Sequence, residues 1–137
     1  MGAMDICNGH RTAESYNIAD ATWNQLPDLT DGRYWHASCA LKQYVYTFCG
    51  KNKFENFLKT IERLDMSDKS AQNRWQTLYL NFPRQSSPYC IYGMSVEAVN
   101  DNEILIMGQP GFNRYCKERR DLFVYNVAEG SLSGINI

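Results

Sequence analysis

A pair of landmark residues recurs along this chain, and the recurrence limits what the chain can fold into. Tyr16 is followed by Trp23, and Leu64 is followed by Trp75, each within strand-like sequence. A third, weaker copy keeps Tyr125 but has no tryptophan after it. The first two copies lie about 50 residues apart, a period at which each repeat is one supersecondary unit that cannot bury its own faces. The sequence therefore predicts repeated units that stack on one another.

The apolar runs and turns divide each repeat into strands. Residues 33–80 contain four consecutive strand-like runs, and residues 84–137 repeat that order with a weak fourth run. Residues 13–26 contain only two runs, and residues 1–12 are a polar tail whose start, Met-Gly-Ala-Met, has the form of a cloning scar. We predict an all-β fold with four-stranded antiparallel blades of a β-propeller. The order is a half blade, a blade and a nearly full blade, which is an incomplete ring in one chain.

Composition excludes several classes of partner. Aromatic residues make up 13% of the chain, which favours strands over helices. The net charge of −1 provides no basic field for nucleic acid, and no apolar run is long enough to span a membrane. The five cysteines are an odd number with irregular spacing, which favours a reducing, cytoplasmic compartment over a disulfide scaffold. We expect neither nucleic acid nor membrane as a partner.

The repeat resembles the kelch motif. In that motif an Arg opens the first strand, a double glycine ends the second, a Tyr lies on the third and a Trp on the fourth. Residues 32–38 resemble the opening, and residues 44–50 resemble the second strand with its glycine pair. Each pair has lost one member, so that Gly50 and Gly108 remain, and Leu64 stands at the Tyr position.

The resemblance assigns mainly structural roles to the landmark residues. The glycines allow close backbone packing at a sharp exit from the second strand. Tyr16, Trp23 and Trp75 are expected to pack between neighbouring blades, where each buries roughly 150–250 Å². Stacking of a ligand on the tryptophans is the alternative.

No constellation in the sequence meets the requirements of a catalytic or metal site. Cys7 and His10 have the spacing of half a zinc site, but the sequence offers no matching second half. His36 lies near Ser38 and Cys39 without a recognisable nucleophile motif. Some kelch-like propellers are copper radical oxidases, and no spacing here supports such a site. We predict no catalytic residue, no metal and no cofactor.

The loops between strands remain as candidates for function. Arg and aromatic side chains, which dominate binding hot spots, are concentrated in them. These candidates are Arg33, Tyr34, Phe54, Phe57, Arg84, Tyr89, Phe112, Arg114 and Tyr115. The alternative for the phenylalanines is that they fold back onto their own blades.

The primary prediction of function is a non-enzymatic protein–protein interaction module of kelch type, which binds a protein or peptide partner through its loops. The second is a fragment that completes a ring by homo-oligomerisation, because an open stack exposes a blade face at each end. An enzyme resembling a copper radical oxidase ranks third.

Overall fold

The computed structural model of the protein describes residues 10–80, 95–107 and 122–135, which form ten β-strands. The strands are β1 (Ala13–Asn17), β2 (Thr22–Leu26), β3 (Ala37–Leu41), β4 (Tyr44–Phe48), β5 (Thr60–Asp65), β6 (Gln76–Tyr79), β7 (Ser95–Ala98), β8 (Glu103–Met107), β9 (Leu122–Asn126) and β10 (Ser131–Ile135). These three ranges contain no helix, and so none that could cross a membrane.

The strands form three antiparallel sheets in which sequential strands are neighbours. We call β1–β2 the half blade, β3–β6 the middle blade and β7–β10 the last blade. The prediction of an all-β fold with four-stranded antiparallel blades is confirmed, and the described sheets do not close into a ring. Short connections join β1 to β2, β3 to β4, β7 to β8 and β9 to β10, and a tight turn suffices to join antiparallel neighbours.

The larger core lies between the middle and last blades. Side chains alternate across a strand, so Tyr46 and Phe48 of β4 lie on one face and Val45 and Thr47 on the other. Tyr46 and Phe48 are fully buried against the last blade. The Phe48 and Tyr125 rings meet edge to face, with centroids 6.2 Å apart. Ile104, Ile106 and Phe123 complete this contact.

A smaller core lies between the middle blade and the half blade. Trp75 packs with Leu64 and Leu29, and its indole Nε1 donates to the Pro27 carbonyl oxygen at 2.7 Å. Leu26 of the half blade covers this cluster. The linker 27–31 is therefore held between the two blades.

The three repeats share a hydrogen bond between the backbone and a side chain at the ends of β1, β5 and β9. Asn17, Asp65 and Asn126 each accept a backbone N–H two residues later through the side-chain oxygen, at 2.9–3.0 Å. Such Asx turns begin the connection to the next strand in each repeat. The register places Leu132 opposite Tyr125, as Trp23 is opposite Tyr16. Leu132 therefore occupies the position at which the last repeat lacks a tryptophan.

The expected burial of Tyr16 and Trp23 between blades is not observed. Their rings contact each other with centroids 4.9 Å apart, yet Tyr16 is 47% exposed and Trp23 is 65% exposed. They lie on the face of the half blade that points away from the middle blade, since the other face carries Ala13 and Leu26. No described blade lies beyond them.

Candidate interaction surface

A sharp turn after β4 creates the candidate surface. Cys49 and Gly50 both have positive φ, 53° and 86°, so the chain leaves the strand abruptly. Tyr34 and Lys51 then exchange two backbone hydrogen bonds, of 2.9 and 2.8 Å. Gly50 lies directly on this pair, because a Cβ built there would be 2.5 Å from the Tyr34 carbonyl oxygen. The turn thus joins the segment before β3 to the loop after β4.

Arg33 anchors the first of these segments from the interior. Its guanidinium donates to the carboxylate of Glu62 at 2.6 Å, and both side chains are completely buried. It also donates to the carbonyl oxygens of Cys49 and Thr60, at 3.0 and 3.1 Å. The planar, multi-donor fork of arginine suits such a junction better than the single ammonium of lysine.

Glu62 links the same ion pair to the linker between blades. Its two carboxylate oxygens accept the backbone N–H groups of Thr30 and Asp31, at 2.6 and 3.2 Å. The carboxylate therefore accepts from the buried guanidinium on one side and from partly buried backbone donors on the other, which offsets the cost of removing its charge from water. The network determines where residues 30–34 lie.

Beyond this anchor the loops present a cluster that we call the aromatic loop surface, defined as Tyr34, Trp35, Lys51, Phe54 and Phe57. The rings of Tyr34 and Trp35 meet edge to face, with centroids 5.1 Å apart. The Lys51 ammonium lies 5.2 Å from the Trp35 ring centre and 4.9 Å from that of Phe57, within cation–π range. Trp35 is 43% exposed and Phe54 is 70% exposed.

The loop that carries Phe54 is ordered by Asn52. The Asn52 side-chain oxygen accepts the backbone N–H groups of Phe54 and Asn56, at 2.9 and 3.1 Å. Its backbone N–H donates to the Asn56 carbonyl oxygen at 3.0 Å. A loop held in this way loses less conformational entropy when it binds a partner.

The structure distributes the predicted site residues unevenly. Arg33 is in the interior, Tyr34 and Phe57 are half-buried, and Phe54 projects into solvent. Of these four residues, only Tyr34, Phe54 and Phe57 belong to the aromatic loop surface. The remaining candidates, together with the landmark Gly108, lie outside the described residues: Arg84, Tyr89, Phe112, Arg114 and Tyr115.

Trp35 is a surface residue that the sequence pattern does not single out. The pattern places it at the opening of β3, whereas that strand begins at Ala37. Its φ of 57° is rare for a bulky residue and turns the chain before the strand starts. The signal available in the sequence is the adjacency of two large aromatics, Tyr34 and Trp35, directly before the strand.

Neither a group of metal ligands nor a reactive thiol is found among the described residues. The His, Cys, Asp and Glu residues of the described part of the chain form no group of three that could hold a metal ion. Burial raises the pKa of Cys49 to about 12, against the opposing effect of Arg33, and raises the pKa of Cys39 to about 11. Both thiols stay protonated near neutral pH and are poor nucleophiles.

His36 makes stability depend on pH. Burial, assisted by the charge of Arg33, lowers the pKa of His36 below its usual value of 6.5. Among the described residues, its buried Nδ1 has no hydrogen-bond partner. The unfolded chain then binds a proton more readily than the folded chain, so the free energy of unfolding falls as pH decreases through 6.5.

We expect His36→Asn to flatten this pH dependence between about pH 7.5 and 5, as measured by urea denaturation. The matched control is His10→Asn, because the side chain of His10 is exposed. Equal pH slopes for His36→Asn and the parent chain would contradict the assignment.

The chain is similar in sequence to several poxvirus proteins. The chain is 26% identical over 91 residues to the Kelch repeat and BTB domain-containing protein 2 of cowpox virus (strain GRI-90 / Grishak), covering 57% of this chain and 16% of that protein. This chain is distantly similar to kelch-repeat proteins. The horsepox virus protein of the same name is 25% identical over 91 residues, covering 57% of this chain and 17% of its own length.

A shorter match points the same way. The ectromelia virus (strain Moscow) protein of that name is 31% identical over 48 residues, covering 35% of this chain and 9% of that protein. The chain thus spans a small part of each kelch-repeat relative. No protein-family model matches it.

Proposed function

We propose that this chain is a non-enzymatic, kelch-type interaction module that binds a protein or peptide through the aromatic loop surface. The observation that carries the proposal is Phe54, a large apolar side chain that is 70% exposed on a loop ordered by Asn52. Neighbouring exposed apolar groups on an ordered surface are characteristic of interaction sites, and Trp35, which is 43% exposed, lies on the segment that is paired with Lys51 at the start of this loop. The names of the kelch-repeat relatives support a protein partner.

The chemistry of the surface defines the kind of peptide that fits it. Residues 51–59 carry three lysines and one glutamate, so the loop is cationic. Lys51 and Lys53 each lie over an aromatic ring, at 4.9 Å from Phe57 and 5.0 Å from Phe54. A partner segment that alternates acidic and aromatic side chains would pair with both the ammonium groups and the ring faces.

A peptide selection tests the proposal and does not require the partner to be identified first. A phage-displayed library of random peptides is selected on the immobilised chain, and the affinity of an enriched peptide is then measured by calorimetry. We expect enrichment of acidic and aromatic residues, and we expect Phe54→Ala and Trp35→Ala each to weaken binding about tenfold or more. Phe54→Ala should leave the unfolding transition unchanged, because that side chain is mostly in solvent.

The matched control is Tyr79→Ala. Tyr79 is 75% exposed and lies on β6 opposite Thr60, at the base of the loop after β4 but outside the aromatic loop surface. Equal binding losses for Tyr79→Ala and Phe54→Ala would contradict a site at the aromatic loop surface. Failure to enrich any peptide above a blank support would count against the function as a whole.

A cytoplasmic location belongs to the same proposal. Cys39 and Cys49 carry free thiols, which is the usual state in a reducing compartment.

A further inference from the structure

Both faces of the middle blade are covered, whereas the half blade and the last blade each have one face that no described residue covers. The covered faces of the middle blade carry different side chains. Leu64 and Trp75 face the half blade, and Tyr46 and Phe48 face the last blade. Each contact between blades thus joins two different kinds of face.

The uncovered face of the half blade, which we call the leading face, consists of Glu14, Tyr16, Trp23 and Gln25. The register pairs Glu14 with Gln25 and Tyr16 with Trp23, and all four side chains are exposed. The two aromatic rings contact each other and form an apolar patch.

The uncovered face of the last blade, which we call the trailing face, is aliphatic. Two cross-strand rows contribute to it. Met107, Leu122 and Ile135 lie side by side on β8, β9 and β10, and Leu105 lies opposite Val124. Met107 is 47% exposed and Ile135 is 42% exposed. A sheet face of this composition is normally packed against another layer.

Equivalence between the repeats identifies what each face fits. Tyr16 and Trp23 of the leading face correspond to Leu64 and Trp75 of the middle blade, since Asn17 and Asp65 end their strands with the same Asx turn. In the middle blade this position packs against the preceding blade. A leading face therefore fits the trailing side of another blade.

The trailing face follows the same rule. Leu105 and Met107 of β8 occupy the places of Tyr46 and Phe48 of β4, because the strand pairs β8–β9 and β4–β5 have matching register. In the middle blade these side chains pack against the following blade. The two uncovered faces are thus equivalent to the two sides that meet wherever one blade of this chain packs against the next.

We propose that the leading face of one copy of this chain binds the trailing face of a second copy. The contact is heterologous, so repetition of the contact closes a ring or extends a chain of molecules. A second copy is the occupant because each face finds its complementary counterpart on the chain itself. This proposal is independent of peptide binding at the aromatic loop surface.

Sedimentation velocity over a range of protein concentrations tests the proposal. We expect assemblies larger than the monomer for the parent chain. Trp23→Ser removes the leading face and Met107→Glu removes the trailing face, and each should weaken self-association about tenfold or more. Ile135→Glu provides a second variant of the trailing face should Met107→Glu not fold.

Mixing the two variants tests whether a leading face binds a trailing face rather than a face of its own kind. Trp23→Ser keeps an intact trailing face, and Met107→Glu keeps an intact leading face. An equimolar mixture should therefore form a discrete 1:1 dimer and nothing larger, although each variant alone is monomeric. A face that binds its own kind cannot produce this result.

The control is Tyr79→Ser. Tyr79 is an exposed aromatic residue that belongs to neither the leading nor the trailing face, so this variant should assemble like the parent. A parent chain that stays monomeric at every concentration would overturn the proposal. So would face variants that assemble like the parent, or a mixture of the two variants that remains monomeric.

Discussion

Glu62→Ala is expected to lower the free energy of unfolding by about 3–5 kcal/mol, as measured by urea denaturation. The substitution leaves the Arg33 guanidinium, whose side chain is completely buried, without its counter-ion. It also removes the acceptor for the Thr30 and Asp31 N–H groups. An uncompensated buried charge is among the largest single destabilising effects in a folded protein.

The chain contains its own control for this substitution. Glu14 occupies the corresponding place in the half blade, two residues before Tyr16 as Glu62 is two residues before Leu64, but its side chain is exposed. Glu14→Ala should therefore change stability by less than about 0.5 kcal/mol. The comparison is made at a protein concentration at which sedimentation velocity gives the mass of a monomer. Equal effects at Glu14 and Glu62 would refute the structural role of the ion pair.

A double-mutant cycle separates the ion pair from the rest of the network. The cycle compares Arg33→Met, Glu62→Leu and the double variant Arg33→Met/Glu62→Leu. The double variant leaves no charge buried and unpaired, so its loss of stability should be smaller than the sum of the losses of the two single variants. Additive losses would show that the two charges do not interact.

Gly50→Ala is expected to lower the free energy of unfolding by about 2–5 kcal/mol, from backbone strain together with overpacking. The φ of 86° is unfavourable for a residue with a Cβ. The new Cβ would also lie 2.5 Å from the Tyr34 carbonyl oxygen and 3.0 Å from the backbone nitrogen of His36. Both neighbours are backbone atoms, so relief requires the segment before β3 to move.

Gly130→Ala separates the two causes. Gly130 also has a positive φ, of 67°, but a Cβ there meets no atom within 4 Å. It should cost only about 1–2 kcal/mol, from the backbone conformation alone. The difference between the two variants measures the clash. If Gly50→Ala were no more destabilising than Gly130→Ala, the close approach to Tyr34 would not exist in solution.

The local elements of the fold were predictable because they depend on neighbours in sequence. Tyr44 to Phe48 alternates between two faces, and turn-forming residues flank the strands, so strands and hairpins follow from pattern. The fourth strand of the last blade was weak in sequence because Leu132 stands where the other repeats have Trp23 and Trp75. Backbone register, which is not visible in composition, revealed this equivalence.

The candidate surface was predictable only in part. Arg33 and Phe54 are both of hot-spot type and both lie in loops, yet the first is buried and the second is exposed. The difference arises from Glu62, which is distant in sequence and provides a buried carboxylate for Arg33 alone. Partners that are remote in sequence are invisible to a reading of local pattern.

The sequence by itself determined the repeat, the all-β class and the four-strand blade, since these follow from residue periodicity and turn chemistry within short windows. The tertiary structure decided which landmark residues are buried. Trp75 is 8% exposed and Trp23 is 65% exposed, although both belong to the same repeat position. The physical reason is that burial of a blade face depends on the blade beside it, and the half blade covers Trp75 while no described blade covers Trp23.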